Sequence, residues 1–202
     1  MPLAHEPVLA AVPDVFAALR ASLEAAVPSA GRPGLVLRAI PAPLRLAPHT
    51  AAVGGDVLRR DVEIAHGRLV ILHDPAGQDG WHGQTRVVAF VSAEVDAEMA
   101  ADAALAQVGW QWLVESLAGR GAVYRAAGGT VTRTISARFG ELEQPEETNE
   151  VEIRASWTAL AGADGKLDLG PHLLAWCDLL ASTAGLPPPG VAPLANGSRP
   201  GH

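Results

Sequence analysis

The stretch Arg68-Leu69-Val70-Ile71-Leu72-His73-Asp74-Pro75-Ala76-Gly77-Gln78-Asp79-Gly80-Trp81-His82-Gly83-Gln84-Thr85-Arg86-Val87-Val88-Ala89-Phe90-Val91 decides the fold. Two apolar, β-branched runs flank a segment holding three glycines, a proline and two acids. That pattern predicts a hairpin with a long connection, from Pro75 to Gly83. Both runs are apolar on both faces. Leu69 and Ile71 alternate with Val70 and Leu72, and Val87, Ala89 and Val91 alternate with Val88 and Phe90. Strands of this kind belong in the middle of a sheet with cover on each side.

Outward from this hairpin the pattern changes. Phe16, Leu19, Leu23 and Val27 recur at helical spacing, with Asp14 as a cap. Leu35 to Ile40 reads as a short strand, and Pro41, Pro43 and Pro48 force an extended segment after it. Ala51 to Ala65 alternates as a half-buried antiparallel strand, with Gly54-Gly55 as a bend or bulge and Ala65-His66-Gly67 as a tight turn.

After the hairpin, Ser92 to Ala101 predicts a short helix. A longer one, capped by Asp102, presents the stripe Leu105, Val108, Gly109, Trp112, Leu113, Ser116 and Leu117. Gly128 to Phe139 predicts a strand with Arg133 on its apolar side. Glu150 to Leu160 alternates cleanly, with Val151, Ile153, Ala155, Trp157 and Ala159 inward. Pro171 opens the last helix, Leu173, Trp176, Cys177 and Leu180 form its buried stripe, and Gly185 with Pro187-Pro188-Pro189 closes it.

The order helix, three or more strands, helix, two strands, helix lacks βαβ alternation. It predicts an α+β domain, an antiparallel sheet with helices packed on it. The 202 residues divide into a flexible N-terminus (1–12), one domain (13–186) and a disordered Pro/Gly-rich tail (187–202). A single cysteine excludes an internal disulfide and a cysteine-based metal cluster. Net charge −7 argues against nucleic acid and anionic membranes as partners. No apolar run approaches the ~18 residues of a membrane span, and no basic leader precedes the first helix. Cytoplasmic location is the expectation.

Chemistry-bearing residues concentrate in the hairpin connection. His73, Asp74 and His82 are the candidate metal ligands there, yet no HExxH and no cysteine pair supports a metal. Turn chemistry explains Asp74-Pro75 and Asp79-Gly80 equally well. Asp79, Trp81 and His82 are the candidate binding residues, with Trp81 either contacting a partner or folding back over the core. Trp110 lies about 200° around its helix from Trp112, which suits a second apolar patch or a subunit interface. Arg133 among apolar neighbours requires a partner, for which Asp61, Glu63 or Glu98 could serve. No nucleophile elbow and no phosphate-binding glycine loop occurs, so no catalytic residue and no cofactor is assigned.

Several motifs together resemble an actinobacterial family described only as a domain of unknown function. They are Ile40-Pro-Ala-Pro-Leu-Arg-Leu-Ala-Pro48, Gly67-Arg-Leu-Val-Ile-Leu-His-Asp-Pro-Ala-Gly-Gln78, Glu98-Met-Ala-Ala-Asp102 with Val108-Gly-Trp-Gln-Trp-Leu113, Gly128-Gly-Thr-Val-Thr-Arg133, Glu152-Ile-Arg-Ala-Ser-Trp-Thr158 and Ala175-Trp-Cys-Asp-Leu-Leu180. The likeness covers roughly residues 35 to 187. It implies a cytosolic protein and carries over no catalytic residue. The expected function is a non-enzymatic binding or adaptor domain that self-associates, with a protein or small ligand as partner. The alternative is a small-molecule- or metal-binding domain, or an enzyme, centred on the His73–His82 loop.

Overall fold

Leu69, Ile71, Val87, Ala89 and Val91 are all but fully removed from solvent, as strands at the centre of a sheet require. The computed structural model describes residues 12–142 and 147–187. Along the chain come α1 (Val12–Ala26), β1 (Leu35–Ala39), β2 (His49–Arg59), β3 (Val62–Gln78), β4 (Gly83–Glu94), α2 (Ala97–Ala101), α3 (Leu105–Gly119), β5 (Tyr124–Ser136), β6 (Thr148–Ala159) and α4 (Gly170–Thr183). Among the described residues the strands form one antiparallel sheet in the order β1-β2-β3-β4-β6-β5. The fold is α+β. The expected loose N-terminus and tail fall largely on residues 1–11 and 188–202, outside the described ones.

One face of the sheet carries the helices. α4 lies deepest, with His172, Leu173, Trp176, Cys177 and Leu180 buried between the sheet, α1 and α3. Two glycines let it come close. A Cβ on Gly55 would lie 2.9 Å from the Trp176 ring, and one on Gly67 would lie 3.0 Å from the same ring and 2.7 Å from the Phe90 carbonyl. The expected bend at Gly54-Gly55 and turn at Ala65-His66-Gly67 are therefore corrected. These glycines sit inside continuous strands, where a side chain would displace Trp176. The turn itself is Arg60-Asp61, both at positive φ (54° and 64°), between the paired Arg59 and Val62. Both central residues at positive φ is the hairpin geometry that matches strand twist.

α3 buries a narrower stripe than its periodicity suggests, Leu105, Gly109, Leu113 and Leu117. Val108 is exposed and Trp112 half-buried. α2 is capped by Asp96, whose carboxylate accepts from the Met99 amide at 2.7 Å, and Asp102 accepts from Ala104 at 2.8 Å ahead of α3. Asp96 is thus a true helix cap, whereas the expected cap Asp102 is corrected: it holds the turn before α3, whose N-cap is Ala104.

The opposite face is covered over part of its area only. The proline-rich segment crosses it, with Ile40, Ala42 and Ala47 packed on Ala52, Val70 and Leu72, and Trp81 closes the same small cluster. Beyond that strap the face lies open. Val88 and Phe90 point outward without the second layer that two-sided apolarity predicts, and Val88 is 36% exposed.

Candidate functional site

Strand register fixes what the open face presents. Arg38 pairs with Gly54, Gly54 with Arg68, Arg68 with Phe90, Phe90 with Arg154, and Arg154 with Thr130. These residues form one row across all six strands, on the side away from the helices. Neighbouring strands lie about 4.8 Å apart, so Arg68 and Arg154 flank Phe90 one strand away on either side, with about 10 Å between their backbones.

The charges of this row are unequally satisfied. Arg38 is paired with Asp56, and Arg154 Nε lies 2.8 Å from Glu152 Oε1. The Arg154 guanidinium also sits over the Phe90 ring, 5.6 Å from its centroid. Arg68 is exposed and has no hydrogen-bond or ion-pair partner among the described residues. His66, one position away on the same face, meets Glu63 at 3.2 Å, and its ring lies 5.8 Å from that of Phe90.

Missing side chains turn the row into a trough. Gly54 leaves a cleft of about 500 Å³ bounded by Arg38, Asp56, His66, Arg68 and Phe90. Across Phe90, Gly128 and Gly129 open a second hollow of about 420 Å³. A third, of about 310 Å³, runs from Arg68 and Val88 under the strap residues Pro41, Pro43 and Leu46. Arg68, Val88 and Phe90 are each shared between two of these hollows, which therefore adjoin one another. The result is a surface that is apolar around Val88 and under the strap, polar around Asp56, Glu63 and His66, with the unpaired Arg68 guanidinium between the two and hollows in the size range of ligand clefts.

The residues expected to form a site from sequence are placed otherwise. β3 continues to Gln78 and β4 begins at Gly83, so the long connection shrinks to a single turn, Asp79–Trp81, closed by His82 at φ 58°. Trp81 packs on Ala52, Val70 and Leu72, and its carbonyl accepts from the Thr158 hydroxyl. Asp79 and His82 are exposed beside it. Asp74 accepts from the Ala76 amide at 3.0 Å and from Gln78 at 3.3 Å, as a turn residue does.

His73 points the other way, into the helix-covered face. Its Nδ1 lies 2.9 Å from Thr85 Oγ1, and its ring lines up with those of His49 and Phe16. Burial holds its pKa below the ordinary histidine value, with nearby His49 acting in the same direction. This hydroxyl–imidazole pair is buried beneath the helices. His73 and His82 do not converge, and among the described residues no three metal-ligating side chains do.

Trp110 is half-buried against the main core. Arg133 is corrected. It stands exposed on the edge strand β5, and in place of a carboxylate it donates to the carbonyls of Ala100 (3.3 Å) and Asp102 (2.5 Å) at the end of α2. A cation at a helix C-terminus is favourably placed there.

Sequence reasoning missed Arg68, Phe90 and Arg154 as a set. Arg68 interrupting an apolar strand was the available signal. The row itself depends on β4 lying beside β6, which no local pattern encodes.

The model of a family described as a protein of unknown function (DUF3000) matches residues 12–192 of the chain. No curated protein and no solved structure matches it. No helix among the described residues is long and apolar enough to cross a membrane.

Proposed function

We propose that this chain, which belongs to the DUF3000 family, is a non-enzymatic binding domain whose ligand lies on the open sheet face, and that the ligand is an amphiphilic organic anion. One observation carries the reading. Arg68 is the unpaired cation of a row that also holds Phe90, and the hollow from Arg68 past Val88 to the strap is mostly apolar. An anionic head at Arg68 would gain a charge-assisted hydrogen bond, and an apolar body would cover Val88 and Phe90. The net charge of −7 makes a local cation selective, because the rest of the surface repels anions. The Ser92 hydroxyl donates to the Glu150 carboxylate at the end of this face and is itself buried, away from Arg68 and Val88, which favours binding over turnover there.

Titration with anilinonaphthalene sulfonate, a flat amphiphilic anion, tests the proposal. One molecule should bind per chain, more weakly at high salt. Arg68→Ala should weaken it by about tenfold or more with an unchanged melting temperature, the loss expected for a charged contact. Equal affinity in Arg68→Ala overturns the reading.

A further inference from the structure

We infer that β5 pairs with β5 of a second copy of this chain, antiparallel about a two-fold axis through Thr132, so that one sheet runs through both subunits. β5 is an edge strand, bonded to β6 along one side, and nearly every residue in it is exposed. A bare edge is a template for another strand, and natural edges are commonly blunted by lysines, prolines, brevity, bulges or charge. β5 runs from Tyr124 to Ser136 without lysine or proline; its bulge and Arg125 lie at its start, and past them Arg133 is the one charge.

A bulge defines the part that can pair. Register shifts between Arg125 and Gly128, with Ala126 at φ 50°. Arg86 pins this kink by donating to the Ala126 carbonyl at 2.9 Å and to Thr158 Oγ1 at 3.1 Å. The regular run left over is Gly128–Ser136, and Thr132 is its midpoint.

Folded about that midpoint, the run is complementary to itself. Thr132 faces its own copy and Thr130 faces Thr134, so a ladder of threonines forms on the open side, where such pairs are favourable. On the helix side Val131 faces Arg133, and Ile135 faces Gly129. Arg133 is the run's one charge, so no like charges oppose. Its guanidinium is already drawn down onto the carbonyls that end α2, which leaves its aliphatic stem toward the partner. Ile135, 56% exposed in the single chain, gains cover where glycine leaves room for it.

The same axis accounts for Trp110. Trp112, Ser116 and Gly119 look toward Asp178 and Ser182 of α4. Trp110 follows Gly109, whose Cα side meets Val131 of β5, and lies about 200° around the helix from Trp112, so part of it is left for a partner beside the β5 edge. This inference is independent of what binds the open face.

Sedimentation of the full chain should give twice the 20.9 kDa chain mass. Thr132→Asp sets two carboxylates opposite each other and should weaken association about tenfold or more, with an unchanged far-ultraviolet spectrum. Cysteine scanning reads the axis in a chain whose one native cysteine is buried. Oxidised Thr132→Cys should form a covalent dimer, Thr130→Cys alone should not, and Thr130→Cys with Thr134→Cys should. A monomer at every soluble concentration overturns the proposal. So does a dimer that survives Thr132→Asp, or cross-linking of Thr130→Cys as complete as that of Thr132→Cys.

Discussion

The Trp157 indole donates to His172 Nδ1 at 3.0 Å inside a core where both side chains are 0–1% exposed. The acceptor role of Nδ1 puts the imidazole proton on Nε2 and requires the neutral ring. Burial holds the His172 pKa at about 4, against an ordinary 6.5, with Asp168 opposing the shift.

That depression makes stability depend on pH. Above pH 6.5 the ring is neutral in both folded and unfolded chains and contributes no slope. Below it the unfolded chain binds a proton that the folded one refuses. Stability then falls by about 1.4 kcal/mol per pH unit and levels off near pH 4, a loss of about 3 kcal/mol. Urea midpoints between pH 8 and pH 4 measure it. His172→Gln, which still accepts from Trp157, should flatten that part of the curve. An equally steep curve in the variant would assign the slope to other groups.

The glycines beneath Trp176 give a second expectation. Gly67→Ala should cost about 1–3 kcal/mol, because its Cβ meets the Phe90 carbonyl and the Trp176 ring at once. Gly80→Ala, whose Cβ meets nothing within 4 Å, should stay within about 0.5 kcal/mol of the parent. Equal losses in chemical denaturation would mean that the close approach of α4 is not what Gly67 provides.

His82 separates turn chemistry from ligand contact. Its left-handed backbone disfavours β-branched side chains. His82→Val should lose about 1–2 kcal/mol, while His82→Gly and His82→Asn should remain near the parent. Comparable stability of all three variants would free His82 from the turn.

The tryptophans should rank by burial. Trp157→Ala, within the main core, should cost about 3–5 kcal/mol. Trp81→Ala, on the small cluster with Val70 and Leu72, should cost about 1–2 kcal/mol. Thermal or urea unfolding of the two variants side by side decides the ranking, and the reverse order would overturn it.

Periodicity exposed the parts of this fold whose partners are simple. β6 alternates because one face meets helices and the other does not, and α4 is apolar around most of its surface because it is enclosed. Punctuation misled where glycine served packing. Gly67 looks like a turn residue yet sits under an indole, while the true turn, Arg60-Asp61, contains neither glycine nor asparagine. Arg133 looked buried because its neighbours are apolar, but on an edge strand the inward side is itself peripheral. Arg68, Phe90 and Arg154 are far apart in sequence and meet only through strand pairing. Their grouping is a property of the assembled sheet, and no local window contains it.

Trp176 Nε1 donates to the Phe90 carbonyl at 3.3 Å, while the Phe90 ring lies on the opposite side of the sheet. One peptide unit thus joins an indole that never meets water to the aromatic floor of the open trough. A ligand on that ring would sit one residue's backbone away from the Trp176 indole, so its binding should be readable as a shift in tryptophan emission that is lost in Trp176→Phe and kept when the other four tryptophans are replaced.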